Sequence, residues 1–177
     1  MKRRKLKLEE LNRISVKEFH EAEKIPLVVV LDNIRSQNNI GSVFRTSDAF
    51  LVEEIILCGI TATPPNTEIH KTALGAEDSV NWRYFEDTIV ALENLKVRDY
   101  TIFSIEQTEN SLSLETLQLD KNKKYAVILG HEVHGVKQEV VNASDGCIEI
   151  PQFGTKHSLN VSVTAGIVVW DFFKQLR

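Results

Sequence analysis

The stretch Ile150-Pro-Gln-Phe-Gly-Thr-Lys-His-Ser-Leu-Asn-Val-Ser-Val163 runs a short apolar strand into a glycine-bearing loop and then directly into a strongly apolar helix. Ser158, Asn160 and Ser162 stand at the mouth of that helix, where the first turn leaves backbone N–H donors without intrahelical partners. One small polar residue is enough to cap a helix. Three of them beside orphan amides, on a helix that is otherwise apolar, point to a ligand or a reacting group at this end.

Upstream, apolar runs of strand length alternate with helical patterns. Leu27-Val-Val-Val-Leu31 reads as a buried strand after Pro26, and Glu54–Cys58, Thr101–Glu106, Tyr125–Leu129 and Cys147–Ile150 read as further strands. The patterns at 40–51, 87–97, 136–143 and 159–176 read as helices, the second opened by an Asp87 cap. Near-continuous apolar strands separated by helices predict an α/β domain with a mostly parallel sheet covered on both faces. Before it, Leu8, Leu11, Ile14, Val16 and Phe19 recur at helical spacing between Leu6 and Glu23, and Ser15 is placed to cap a second short helix. This divides the chain into a basic, helical extension over 1–25 and a main domain over 26–177.

With 177 residues, 42% hydrophobic and 26% charged, the chain has the size and composition of one globular domain. Its longest apolar run, Pro26–Leu31, is far too short to span a bilayer. No long apolar segment follows the basic N-terminus, so a secretory signal is not expected. Cys58 and Cys147 are too few and too distant for a disulfide framework, and each falls in a strand, which predicts buried free thiols and a cytoplasmic protein. The net charge of −4 hides an asymmetry. Of 21 basic residues, Lys2, Arg3, Arg4, Lys5 and Lys7 fall within the first seven positions, leaving 16 against all 25 acidic side chains. A basic arm on an acidic body can contact phosphates without a basic domain.

Two further segments share the glycine-and-polar character of the first. They are Asn39-Ile-Gly41-Ser-Val-Phe-Arg45-Thr46 and Leu129-Gly130-His131-Glu132-Val-His134-Gly135-Val136. In chain order, Asn-x-Gly-x-x-x-Arg, Leu-Gly-x-Glu-x-x-Gly and Ile-Pro-x-x-Gly-x-x-x-Ser-Leu-Asn-Val-Ser resemble the three motifs of the SpoU (TrmH-like) branch of the SPOUT RNA methyltransferases. The resemblance covers about Leu27 to the C-terminus. It implies a deep trefoil knot formed from about Tyr125 to the start of the last helix. It also implies a homodimer through the knotted face, with the active site at the subunit interface. Trp170, Phe172, Phe173 and Phe44 are candidates either for that contact or for the core.

The implied reaction transfers a methyl group from S-adenosylmethionine to a ribose 2′-hydroxyl of tRNA or rRNA. By motif position the cofactor lies on Leu129-Gly130-His131 and Ile150-Pro151-Gln152, with Ile150 and Leu159 forming an apolar slot for the adenine and Gly130 allowing close backbone approach. Arg45 corresponds to the family's catalytic arginine. The resemblance implies that it accepts the ribose 2′-hydroxyl proton. Because guanidinium is effectively always protonated, the expected role is to hold a phosphate or the developing alkoxide, with proton acceptance as the alternative. Asn39 is expected to orient Arg45 or the ribose, or to cap the following helix. Glu132 is expected to pair with an arginine or anchor a loop, and Ser158 and Asn160 to bind the ribose or organise Arg45. Lys71 and the basic arm are candidate RNA contacts. His131, His134 and His157 lack the spacing of a metal site and no cysteine pair supports one, so no metal is expected.

The form of the third motif, and the roughly 25 residues before the first strand, lean towards a tRNA guanosine rather than a 23S-type rRNA guanosine. A non-catalytic RNA-binding scaffold with the same fold is the alternative from another class.

Overall fold

The structure is a computed structural model that describes residues 3–177. Seven strands, β1 (Ile25–Asp32), β2 (Val52–Cys58), β3 (Trp82–Phe85), β4 (Tyr100–Ile105), β5 (Leu112–Ser113), β6 (Lys124–Leu129) and β7 (Gly146–Glu149), form one all-parallel sheet in the order β3-β2-β1-β6-β4-β7-β5. Strand β1 is buried almost throughout. Its successive side chains feed two cores: Leu27, Val29 and Leu31 enter one, Val28 and Val30 the other. That split is the period-two geometry of a strand covered on both faces.

One face is covered by α1 (Val16–Glu21), α2 (Gln37–Ala49), α3 (Thr67–Ala73), α4 (Ala76–Ser79) and α7 (Val161–Leu176), which bring Phe19, Phe44, Ile69, Ala76 and Phe172 into the first core. The other is covered by α5 (Thr88–Val97) and α6 (Gln138–Ala143), through Ala91, Leu92, Leu95 and Val140. After β7 the chain crosses back over the sheet, and α7 packs against α2 and β1. Register aligns Leu31 with Leu129 and Ile105 with Ile148, so β1, β6, β4 and β7 end along one edge. The carboxyl edge of an open parallel sheet is where such folds bind ligands.

Several boundaries differ from those read in the sequence. Between Leu6 and Glu23 the first helical element is only a 3-10 turn at Leu8–Leu11, which ends at Asn12 with φ 47°, and the expected second short helix follows as α1. Ser15 does cap α1, exchanging hydrogen bonds with Glu18 in a capping box. Phe19 is buried, whereas Leu11, Ile14 and Val16 face solvent. Helix α2 begins at Gln37 because Ser36 Oγ accepts Asn39 N–H at 3.3 Å and caps it there. Helices α3 and α4 and strands β3 and β5 lie outside the elements that periodicity predicts.

The aromatic residues offered for core or contact divide: Phe44 and Phe172 are fully buried, while Trp170 is 48% exposed. Cys58 and Cys147 are free and buried, and burial pushes the Cys58 thiol up to about 12. Among the described residues no helix is long and apolar enough to cross a membrane.

Candidate active site

The loop after β6 is built around a short antiparallel bridge between His131 and Gly135 (N···O 3.1 and 2.8 Å). Gly135 takes φ +66°, a left-handed conformation that a glycine adopts without strain. Inside the turn, His131 Nδ1 accepts the N–H of Val133 at 3.0 Å and that of His134 at 3.4 Å. The imidazole therefore does what an Asn or Asp oxygen does in an Asx turn. Gly130 has an internal reason for lacking a side chain: a Cβ there would lie 2.2 Å from the backbone of Gly135 and Val136. This internal constraint adds to the expectation that its smallness serves an approaching base, since Gly130 also lines the cavity described below.

The turn aims Glu132 at the start of α2. Glu132 Oε2 accepts Arg35 N–H (3.0 Å), and Oε1 accepts Ser36 N–H (2.9 Å) and Asn39 Nδ2 (3.2 Å). Burial opposes ionisation of this carboxyl. The backbone donors of Arg35, Ser36 and Glu132 itself, with the Asn39 amide, outweigh that and hold it below the ordinary 4.5. Asn39 Oδ1 in turn accepts Asn160 Nδ2 at 3.2 Å. Asn160 is the cap of α7: its Oδ1 accepts Ser162 N–H (2.9 Å), Val163 N–H (3.4 Å) and the Ser162 hydroxyl (2.6 Å). One amide from each of two helix starts and one loop carboxylate thus form a continuous chain. Ser36, which caps α2, leaves Asn39 free for this bridge.

Behind it lies a cavity of about 600 Å³ at the carboxyl edge of β4, β6 and β7. Leu129, Gly130, His131, Glu132, Ile150, Gln152, Ser158, Leu159 and Asn160 line it together, along with Glu106 and Gln107. Its size falls within the range of small-molecule and cofactor sites. Leu129 and Ile150 are largely buried, and Leu159 is 39% exposed over the opening. Glu106 and Gln107 carry no motif signal; their position just past β4, beside β6, is the one feature that places them here. His131, His134 and His157 also line the cavity, and the first two rings stack at 4.8 Å. Among the described residues no three His, Cys, Asp or Glu side chains converge as a metal site.

Arg45 is elsewhere. It lies six residues after Asn39 along α2, a rise of about 9 Å. Exposed, it lines a second concavity of about 460 Å³ with Ser42, Thr46, Phe50, Lys71 and Thr72. Lys71 there pairs with Glu68 at 2.6 Å, and Thr72 Oγ1 donates to Asn38 O at 2.9 Å, tying α3 to α2. Gly41 permits this approach, since a Cβ would come 2.1 Å from Thr72 Oγ1 and 2.2 Å from Ile69 O. The expected set is thus divided within one chain: Asn39, Glu132, Ser158 and Asn160 gather around the first cavity, and Arg45 and Lys71 around the second. In the basic arm, Arg3, Lys5 and Lys7 are exposed and Arg4 grips Glu10 through two hydrogen bonds of 2.8 and 3.0 Å, while Lys2 lies outside the described residues.

The SpoU rRNA Methylase family model matches residues 26–170. A tRNA (guanosine(18)-2'-O)-methyltransferase of Thermus thermophilus is 30% identical over 166 residues, covering 94% of this chain and 84% of that protein. The 23S rRNA (guanosine-2'-O-)-methyltransferase RlmB of Nitrosomonas europaea is 31% identical over 150 residues, and the match takes in 84% of this chain but 56% of that longer protein. The crystal structure of the A. aeolicus TrmH/SpoU tRNA modifying enzyme superposes with a TM-score of 0.78 at 25% identity, over 90% of this chain and 81% of that one. An AdoMet-bound rRNA methyltransferase from Sinorhizobium meliloti shares the fold, with a TM-score of 0.80 at 23% identity over 90% of this chain and 60% of that one. With the family match running from the first strand into the last helix, the chain belongs to the SpoU rRNA Methylase family.

Proposed function

We propose that this chain is a homodimeric, S-adenosylmethionine-dependent RNA methyltransferase acting on a ribose 2′-hydroxyl, with a guanosine of tRNA as its substrate. The observation that carries this reading is the Asn160–Asn39–Glu132 chain at the mouth of the 600 Å³ cavity. It locks together all three motif segments. The Thermus tRNA enzyme, aligned over nearly the whole chain, supports tRNA over rRNA.

In this reading residues 26–177 are the catalytic domain, knotted in their C-terminal part and working in the cytoplasm, and residues 1–25 are an RNA-contacting extension. The strand order, with β6 between β1 and β4 and α7 returning to β1, is compatible with the knot. Leu129, Gly130, His131, Ile150, Gln152 and Leu159 would hold S-adenosylmethionine, which when bound supplies an electrophilic methyl on a sulfonium. The protein's part is then positioning and charge. Ser158 and Asn160 orient the ribose at the cavity mouth. Arg45 holds a phosphate of the RNA and stabilises the ribose oxygen as its proton leaves.

Dimerisation resolves the separation of Arg45 from the cofactor cavity. Leu114, Pro151, Phe153, Val163, Ile167 and Trp170 surround an apolar concavity beside that cavity, with Phe153 96% exposed. Phe50 joins it to the Arg45 concavity, its ring 5.4 Å from that of Trp170. A second copy seated on this surface covers both, so that Arg45 of one protomer serves the cavity of the other.

The test is to incubate the purified protein with S-adenosylmethionine and unmodified tRNA or 23S rRNA transcripts, then digest to nucleosides. The expected product is 2′-O-methylguanosine from tRNA. Methyl groups on a base would overturn the reaction class, methylated rRNA alone the substrate, and no transfer to any RNA the enzyme.

A further inference from the structure

The cavity assigned to S-adenosylmethionine has an uneven charge. Glu106, Glu132 and Glu149 line it, and among the described residues neither Lys nor Arg does. The three carboxylates are not equivalent. Glu132 is engaged on both oxygens by the start of α2. Glu149 closes β7, where its backbone carbonyl accepts Leu114 N–H at 2.9 Å.

Glu106 is held differently. It follows the last residue of β4, and its Oε1 accepts Val136 N–H at 2.7 Å. It packs so closely on Gly135 that a Cβ there would lie 2.1 Å from Oε1. One backbone donor and one glycine thus fix the carboxylate against the cavity wall. Among the described residues Oε2 accepts no hydrogen bond.

S-adenosylmethionine carries a sulfonium, an ammonium and a carboxylate, a net charge of +1. Its demethylated product is a thioether and is neutral. The two differ in shape by one methyl group and in charge by one unit. A fixed carboxylate in a cavity lined, among the described residues, by neither Lys nor Arg favours the charged member. We propose that Glu106 is a specificity-determining residue of this cavity, selecting the cationic sulfonium donor over the neutral thioether product. The inference rests on the proposed function, since it takes S-adenosylmethionine as the occupant. Its consequence is weakened product retention after each transfer.

Calorimetric titration of the full chain with each of the two ligands tests it, using wild type, Glu106→Gln, Glu106→Asp and Glu149→Gln. Glutamine still offers an oxygen to Val136 N–H, so Glu106→Gln removes charge while keeping the anchor. The expected result is a loss of about fivefold or more in affinity for S-adenosylmethionine, with product affinity changed less than about twofold. Glu106→Asp, which keeps the charge, retains the preference. A parallel loss for both ligands, as a merely structural role would give, overturns the proposal. So does a change in the ratio on Glu149→Gln but not on Glu106→Gln. Binding of both ligands with an unaltered ratio refutes Glu106 alone, whereas binding of neither to wild type refutes the methyltransferase reading and this inference with it.

Discussion

Asn160 Nδ2 donates to Asn39 Oδ1 at 3.2 Å, joining the first turns of α2 and α7 across 121 residues of sequence. The same Asn160 caps α7 through its oxygen. Its two ends therefore do separable work. Asn160→Asp keeps an oxygen for the cap but sets it against Asn39 Oδ1. Thermal stability should fall little while methyl transfer falls at least about tenfold, about 1.4 kcal/mol in the barrier. Asn160→Ala loses the cap as well, and should cost about 1 kcal/mol of stability. Melting curves paired with single-turnover rates distinguish the two variants; equal loss of stability in both would contradict the division.

Glu132 gives a pH dependence with a definite sign. Its folded carboxyl lies below the ordinary 4.5, so its contribution to stability is complete above the unfolded value and is lost as pH falls through the depressed folded value. Glu132→Gln should be destabilised relative to wild type at neutral pH, because an amide cannot accept all three donors. Denaturant midpoints measured from neutral to acid pH should show that gap closing as the pH falls below the carboxylate range. A gap that widens on acidification would contradict the assignment.

His131 acts in the turn through an acceptor, not through its charge. Asparagine offers an oxygen at a similar reach, so His131→Asn should keep stability and cofactor affinity within about twofold. His131→Ala leaves two loop N–H groups without their partner and should loosen the turn that holds Glu132. Titration with S-adenosylmethionine checks this; equal weakening in both variants would mean that the ring itself contacts the cofactor.

Gly130→Ala is expected to destabilise the fold by about 1–3 kcal/mol, since the new Cβ meets rigid backbone rather than a side chain that can move. A melting temperature matching wild type would show that the Gly135–Val136 backbone yields.

The legible parts of this molecule were those with a strong local signal. Strand β1 is a continuous apolar run, and Ser15 and Asp87 announce their helices as caps. Helices α3 and α4 span 7 and 4 residues around Leu74, whose φ is +55°, too short for a period to emerge. The edge strand β3 has no fully buried position and hence no apolar run. Helix α2 opens on Gln-Asn-Asn, which hides its first turn, although Ser36 is a readable cap. At the site, the residue types were visible because three segments each pair glycine with polar groups. Their partition was not: the long-range bonds of Glu132 to α2 and of Asn160 to Asn39 leave no mark on spacing. Nor does spacing show that Arg45, about one and two-thirds turns beyond Asn39 on α2, lies beside Lys71.

Arg45 is the side chain that separates an enzyme from a binding scaffold. Lysine keeps the charge but loses the two-pronged geometry that holds a phosphate. Single-turnover methylation of unmodified tRNA transcripts should therefore slow by about a hundredfold or more in both Arg45→Lys and Arg45→Ala, about 2.7 kcal/mol in the barrier. S-adenosylmethionine affinity should stay at the wild-type value, since Arg45 lies outside the cavity proposed for the cofactor. Near-normal rates in Arg45→Ala would contradict a catalytic role for this side chain.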